Sequence, residues 1–542
     1  MVTEMKKYIR IKKGKVKHEE QRNSLMTLAF AAISVLLQIL WFVYVYYELY
    51  KVSTFVSIGL SFFALLCALA INGKHTNAAV KMPWIVLILA FPMLGMPLYL
   101  TLGRSGATRG MRKRFEEIDN KILYKIPQDG EVVKELREDS ISIANQCRYI
   151  YKYAHYPVYN DSHIEYYNEA TLALQAQLDA LKQAKKFIFM EYHAIEDAQS
   201  FKDIKKILEE KAAQGVEVRL FYDDIGSAFF INKNFRKRME KAGIKCRVFN
   251  PMVPVLNVFM DNRDHRKITV IDGIVGFTGG YNLADEYFDI VKPYGHWKDT
   301  GVKITGNAVK NLTITFLEIW NAINSKDVDD TKYSEFLPDA SKLIKQDENL
   351  RREWLNSDKG YIQPYADSPL DMEHVGENVY LNVIASANKY IYFMTPYLII
   401  TDDMNRALGL AAKRGVDVRI IIPGIPDKKL VYMLTRSYFP SLIRRGVKIY
   451  EYKPGFCHAK MCVSDDRIAT VGTINLDYRS LYHHFENGVM MYKNKAVIDI
   501  KTDFDKMFKN DCKCVNEEFK DVRKTFLNRV GYSILRLFAP LL

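Results

Sequence analysis

Three long uncharged runs open the chain. Leu25 to Tyr47 reads LMTLAFAAISVLLQILWFVYVYY, 23 residues without a charge, enough at about 1.5 Å per residue to cross about 30 Å of hydrocarbon. A second run covers 52–71 (VSTFVSIGLSFFALLCALAI), and a third, 83–102 (PWIVLILAFPMLGMPLYLTL), contains Pro92 and Pro97, which break a helical hydrogen-bond ladder unless neighbours compensate. The pattern predicts a membrane region over 25–103 behind a basic segment, 1–24. The third run spans, kinks or re-enters. Buried helices of soluble domains seldom run about 20 residues without a charge. A cleaved signal peptide would be shorter and would end at a small-residue site.

After Arg104 the pattern changes to alternating strands and amphipathic helices, and two stretches copy each other. ALKQAKKFIFMEYHAI, DIKKILEEKAAQG and VEVRLFYDD are matched by VIASANKYIYFMTPYLI, DDMNRALGLAAKRG and VDVRIIIPG. In each copy a helix stops at a glycine, Gly215 or Gly415, suited to a left-handed C-terminal residue, and an apolar strand follows. This grammar predicts an α/β class: two pseudo-symmetric domains, each with a mostly parallel or mixed sheet covered on both faces. The divisions are a basic juxtamembrane linker (104–145), a first domain (146–340), a polar linker (341–370), a second domain (371–515) and a C-terminal amphipathic segment (516–542).

Charge and cysteines narrow the setting. The formal charge of +14 favours an anionic partner, lipid or nucleic acid. The seven cysteines are odd in number and scattered, the pattern of reduced, cytoplasm-facing thiols; Cys512-Lys-Cys514 is too short to stand as a zinc site. Basic residues flank the membrane region on both sides, from Lys6 to Lys17 and from Arg104 to Arg114. Both flanks ask to be cytoplasmic, which three full spans cannot satisfy.

The chemistry lies in a repeated motif. HAKMCVSDD (458–466) places His458 and Lys460 on one side of an apolar strand, with Ala459, Met461 and Val463 on the other. A lysine is seldom buried without a negative partner. HRKITVIDG (265–273) repeats the stretch. His265, Lys267, Asp272, Gly279 and Asn282 follow H-x-K-x4-D-x6-G-x2-N, and His458, Lys460, Asp465, Gly472 and Asn475 follow it at the same spacing. One such five-position match by accident is roughly a one-in-several-thousand event in a chain of this length, so two are not chance.

These motifs resemble the phospholipase D superfamily over residues 160–500. With the apolar N-terminus, GFTGGYNLADEY, WKDT, GTINLDYRSLYHHFENGV and the closing APLL, the chain is most similar to the bacterial cardiolipin synthase family. The family usually has serine after the motif glycine; Gly280 and Thr473 stand here, so one half lacks a hydroxyl.

A phosphodiester repels nucleophiles and has a poor alkoxide leaving group, so its cleavage needs a nucleophile, a proton donor and cationic cover for the oxygens. The repeated motif supplies all three. The resemblance implies His265 as nucleophile, forming a phosphohistidine, with His458 as general acid and then general base; the residues themselves leave the reverse order open. Lys267, Lys460, Asn282 and Asn475 would bind the non-bridging oxygens, with no metal and no cofactor expected. Asp272 and Asp465 belong to the motif and are grouped with His265, Lys267, His458 and Lys460 as catalytic candidates, yet each closes a strand as a turn residue, so a structural role outranks direct chemistry. Glu486 matches the family's downstream glutamate and would orient one imidazole; Glu286, Asp285 and Asp299 are candidates for the equivalent role. His193, His296, His483 and His484 read as ordinary surface or core histidines.

The resemblance implies a membrane-embedded enzyme with phosphatidylglycerol and anionic membrane lipids as partners and no nucleic acid, moving a phosphatidyl group from one phosphatidylglycerol to another. Hydrolysis, or transfer to another alcohol, shares the intermediate and is the near alternative. A nuclease would also suit the charge but gives the apolar runs no purpose, and a catalytically dead scaffold conflicts with intact histidines and lysines in both halves. The C-terminal TFLNRVGYSILRLFAPLL, apolar on one helical face, either lies in a membrane interface or closes the second domain. Oligomeric state and topology are not legible.

Overall fold

Short apolar segments bounded by turns form two sheets of the same plan. The computed structural model describes residues 54–541 apart from 75–76, 104–108, 252–261, 325–328, 356–359, 372 and 517–525, with scattered positions between 29 and 48. Most of the apolar run 25–47 lies outside the described residues.

The first half contributes β1 (Ser162–Tyr167), β2 (Phe187–Tyr192), β3 (Glu217–Asp223), β4 (Lys245–Phe249), β5 (Arg263–Asp264), β6 (Lys267–Ile271), β7 (Val275–Gly279), β8 (His296–Lys298) and β9 (Gly301–Gly306). The second contributes β10 (Tyr361–Asp367), β11 (Tyr390–Met394), β12 (Leu398–Ile399), β13 (Asp417–Pro423), β14 (Lys448–Tyr452), β15 (Gly455–Cys457), β16 (Lys460–Ser464), β17 (Ile468–Gly472), β18 (Leu476–Asp477), β19 (His484–Tyr492) and β20 (Cys512–Cys514). One sheet runs β1-β9-β7-β6-β2-β3-β4 and the other β10-β19-β17-β16-β11-β13-β14-β20. The orders match strand for strand, with β20 added at an edge. In each, three strands are parallel (β2, β3, β4; β11, β13, β14), while the motif strand and its neighbours are antiparallel. The mixed α/β expectation holds.

Two pairings cross between the halves. β5 lies parallel to β19, and β8 lies parallel to β15. Each crossing strand ends beside a motif histidine. The helix Val309–Ile323, buried along nearly its whole length, packs on β6 and β2 on one side and on β10 of the other half, so the halves share one continuous apolar core.

Several boundaries differ from the sequence reading. The stretch read as a linker over 104–145 is helical in its described part: Arg109–Lys121 and Gly130–Asp139 are helices that bury Phe115, Ile118, Val132 and Leu136. Their charged faces give the stretch a polar average that hides the apolar stripe. In 341–370, helix Glu348–Leu355 is followed by β10, an outer strand of the second sheet. The seven cysteines are free thiols, and Cys512 and Cys514 sit on edge strand β20.

In the N-terminal region, run 52–71 forms the helix Thr54–Asn72. Run 83–102 is not one helix. It breaks at Phe91 between Ala78–Ala90 and Pro92–Leu98, where Pro92 starts the second piece. At Gly95 the pieces approach so closely that a Cβ would lie 2.7 Å from Ile88 Cα. Among the described residues no helix is long and apolar enough to cross a membrane. Asn77 Nδ2 joins this region to the second half by donating to Tyr482 Oη at 3.0 Å.

The motif aspartates are turn clamps. Asp272 and Asp465 have positive φ, 54° and 55°, in the turns after β6 and β16. The Asp272 carboxylate accepts from the backbone N–H groups of Lys185, Lys186 and Phe187 at 2.7–2.8 Å; Asp465 accepts from Asn388, Lys389 and Tyr390 at 2.7–2.9 Å. Each sits at the far end of its strand, roughly 20 Å along the chain from the histidine at about 3.3 Å per residue. Their grouping with the catalytic residues is therefore corrected to a structural role. Asp272→Ala or Asp465→Ala removes three charge-assisted acceptor contacts and is expected to cost about 2 kcal/mol in denaturant unfolding, while activity per folded molecule stays within about twofold.

Candidate active site

Strand alternation and the crossing pairings assemble the site. The motif strands begin at Lys267 and Lys460, so each histidine lies just before its strand rather than within it. The missing ladder bonds come from the other half. His265 N–H donates to Phe485 O at 2.9 Å, and His458 N–H donates to Lys298 O at 2.7 Å. The side chains are exchanged likewise. Glu486, in the second half, accepts from His265 Nδ1 at 2.9 Å, and Asp299, in the first, accepts from His458 Nδ1 at 2.7 Å. A carboxylate on Nδ1 fixes the tautomer and places the lone pair on Nε2, which in His458 lies 2.9 Å from Lys460 Nζ.

The two carboxylates explain the odd residues after the motif glycines. Glu486 is held by the Thr473 hydroxyl and by Ser480 Oγ at 2.6 Å. Asp299 has a side chain one methylene shorter, so it presses against the backbone. A Cβ at position 280 would lie 2.1 Å from Asp299 Oδ1, which only glycine avoids. Thr473 with Glu486 and Gly280 with Asp299 are two solutions to one packing problem. Among the candidates for the role equivalent to Glu486, Asp299 occupies it. Glu286 and Asp285 lie instead in the buried turn Asp285–Phe288, with Asp285 accepting from Ser200 N–H; β8, steered by β15, delivers Asp299 to His458.

Lys267 Nζ donates to His265 O, and Lys460 Nζ donates to His458 O while lying 2.8 Å from His458 Nδ1. Both are almost fully buried. Burial lowers Lys267 to about 7 and Lys460 to about 8, with Glu486 and Asp299 pulling upward. Burial raises Glu486 to about 8 and lowers His458 to about 3; His265 falls well below its ordinary value through burial and the Lys267 charge. Burial thus keeps both imidazoles neutral and the lysines poised near neutrality, and a phosphodiester anion would favour the lysines' charged forms. Asn282 is partly committed: Oδ1 accepts from Ala194 N–H at 3.1 Å and Nδ2 donates to Tyr287 Oη at 2.8 Å. Asn475 Oδ1 is buried without a hydrogen-bond partner.

The half-sites differ in their walls. His193 and His484 flank His265, with ring centroids 5.1 and 5.8 Å away. Tyr287, Trp297 and Phe456 surround His458 at 5.2, 5.5 and 5.9 Å. The sequence reads His193 and His484 as ordinary histidines, because single residues outside the repeated pattern carry no signal. His296 fits that reading, with Nδ1 2.8 Å from Tyr452 Oη. Arg266, between His265 and Lys267, points into the core, where Glu191, Asp264 and Glu318 surround it at 3.3–3.6 Å. It ties the motif strand to the central helix.

The family model described as "Cardiolipin synthase, PLD-like domain" matches residues 178–320 and 380–508, and "Phospholipase_D-nuclease N-terminal" matches 59–104. An uncharacterized protein of Streptococcus mutans is 40% identical over 85% of this chain and 96% of its own length. Cardiolipin synthases of Geobacillus kaustophilus and Alkalihalophilus pseudofirmus are each 31% identical, covering 90% and 96% of this chain and 93% and 100% of theirs. A phosphatidylserine synthase structure from Haemophilus influenzae shares the fold at 14% identity, with a TM-score of 0.53, covering 73% of this chain and 98% of that one. The resemblance read from the repeated motif is borne out.

Two outcomes follow from the site. Because the lysine ammoniums lose their protons from about pH 7 to 8 upward, kcat/KM for a phosphodiester substrate is expected to fall as pH rises, by about tenfold per unit once one required proton is lost; a flat profile from pH 7 to 9 would remove the lysines from phosphate binding. Asp299→Asn and Glu486→Gln keep the shape but misplace the imidazole proton, so each should lower kcat about 100-fold or more with little change in KM.

Proposed function

The chain belongs to the PLD-like cardiolipin synthase family, and from that membership we propose that it is a phosphatidyltransferase that makes cardiolipin from two molecules of phosphatidylglycerol, releasing glycerol. The observation that carries the mechanism is the reciprocal clamp: two histidines, one from each half, each oriented by a carboxylate of the other half, with two buried lysines beside them.

In this mechanism His265 Nε2 attacks phosphorus and forms a phosphatidyl–histidine bond. The bond from phosphorus to the glycerol oxygen breaks as His458, protonated in the substrate complex, gives its proton to that oxygen. His458, now neutral, removes the proton from a hydroxyl of a second phosphatidylglycerol, whose oxygen attacks phosphorus and frees His265. One phosphodiester replaces another, so no nucleotide is consumed. Lys267 and Lys460 cover the non-bridging oxygens where charge gathers, and Asn475 and the remaining N–H of Asn282 add donors. Water in place of the acceptor gives phosphatidic acid, the hydrolytic outcome. The exposed apolar N-terminal helices support a site set at the membrane with anionic lipid as its partner.

Purified full-length protein given labelled phosphatidylglycerol should form diphosphatidylglycerol and one glycerol per transfer, with His265→Ala and His458→Ala reduced at least 1000-fold. His458→Ala quenched with detergent at alkaline pH, where a phosphorus–imidazole bond survives, should retain phosphate label on His265. Phosphatidic acid as the sole product would overturn the synthase reading, and label on His458 in the His265 variant would reverse the two roles.

A further inference from the structure

The C-terminal helix Phe526–Leu537 and its continuation leave one stripe of apolar side chains outside. Phe526, Val530, Ile534 and Phe538 recur every four residues and are 78%, 41%, 52% and 40% exposed, so they share a helical face. The helix is seated elsewhere on two elements. It packs on Ala78–Ala90 of the N-terminal region and on Lys429–Ile443 of the second half. In the latter contact the Arg536 guanidinium lies 4.2 Å from the Tyr438 ring centre.

Both neighbours also leave large apolar side chains exposed: Met82, Val86 and Leu89 on the first, Leu430 and Met433 on the second. Phe55, Phe62, Leu66 and Leu69 of Thr54–Asn72, which packs on Ala78–Ala90, do the same. Soluble monomers seldom show a contiguous apolar patch above a few hundred Å². Cations stand among these residues, with Arg529 on the helix and Lys428 and Lys429 beside Leu430.

We propose that the Phe526–Val530–Ile534–Phe538 stripe docks into the surface of an anionic lipid bilayer, extending the apolar face of the N-terminal helices to the second half. The occupant is lipid because the stripe's helix packs directly on the N-terminal helices, which expose apolar side chains of their own, and because Arg529 lies on the same helix, the make-up of an interfacial helix. The proposal rests on the lipid-substrate reading and adds to it a means of holding the site at its substrate. The N-terminal region, through Asn77, and the C-terminal turn both reach the short helix Tyr478–Tyr482. The turn Ala539–Leu541 packs on it, and Asn77 donates to Tyr482. That helix carries Ser480, which donates to Glu486, the partner of His265. Seating at the membrane is thereby linked to the orientation of one imidazole.

The test uses the full chain and two substrates: phosphatidylglycerol in vesicles, and dihexanoyl phosphatidylglycerol kept monomeric in solution. Val530→Asp with Ile534→Asp should lower the vesicle rate at least tenfold, leave the monomer rate within twofold, and leave the thermal midpoint unchanged. In a separate variant, Ile534→Trp, the added fluorescence should be quenched by brominated lipid. An unchanged vesicle rate, an equal loss on both substrates, or fluorescence that brominated lipid does not quench overturns the proposal, the last also being the result if a second copy of the chain covers the stripe. If the unaltered protein transfers nothing from phosphatidylglycerol, the functional reading fails, while the quenching still decides the docking.

Discussion

The arrangement depends on an exchange of anchors between the halves. Each motif histidine sits one step outside its own sheet, where its backbone has no ladder partner, and the opposite half supplies both the carbonyl and the carboxylate that fix it. A half alone therefore holds an imidazole with neither tautomer nor direction set. The crossing pairs β5–β19 and β8–β15 are the cause, because they carry Phe485 and Lys298 to the seam. Duplication gives more here than two copies of one motif: it gives each copy the group that its own fold leaves out.

Burial sets the chemistry. A solvated lysine would stay charged and a solvated imidazole would titrate near pH 6.5. Inside the seam the lysines fall toward neutrality and both imidazoles stay unprotonated. A phosphodiester brings the missing negative charge, so the groups that must be cationic in the reaction become so when substrate arrives. The site is in this sense incomplete without its anion. Its walls are unequal, imidazoles around His265 and aromatic rings around His458, which breaks the symmetry that the sequence repeat suggests.

What was legible in the sequence was local. The repeated spacing identified His265, Lys267, His458 and Lys460, since strand and turn impose it within each copy. Asp272 and Asp465 were legible as turn residues for the same reason, and each carboxylate accepts from three backbone N–H groups beside its turn. The match of Asp299 to His458 and of Glu486 to His265 spans 159 and 221 residues, and no local pattern encodes which carboxylate crosses to which half. Gly280 looked like a lost hydroxyl but is the space that Asp299 occupies. The helix Arg109–Lys121 read as a basic linker because charges outnumber its buried Phe115 and Ile118. The third apolar run showed its prolines and left spanning, kinking and re-entry open; the break at Phe91 and the close approach at Gly95 come from packing that the run itself does not display.

The most direct test is an experimental structure of the full-length protein with vanadate, which mimics a phosphoryl centre in transfer. The account predicts vanadium bonded to Nε2 of one motif histidine, with Nε2 of the other within hydrogen-bond reach of a vanadate oxygen and both lysines on the equatorial oxygens. Vanadate held by residues of one half only, with the second histidine turned away, would contradict it.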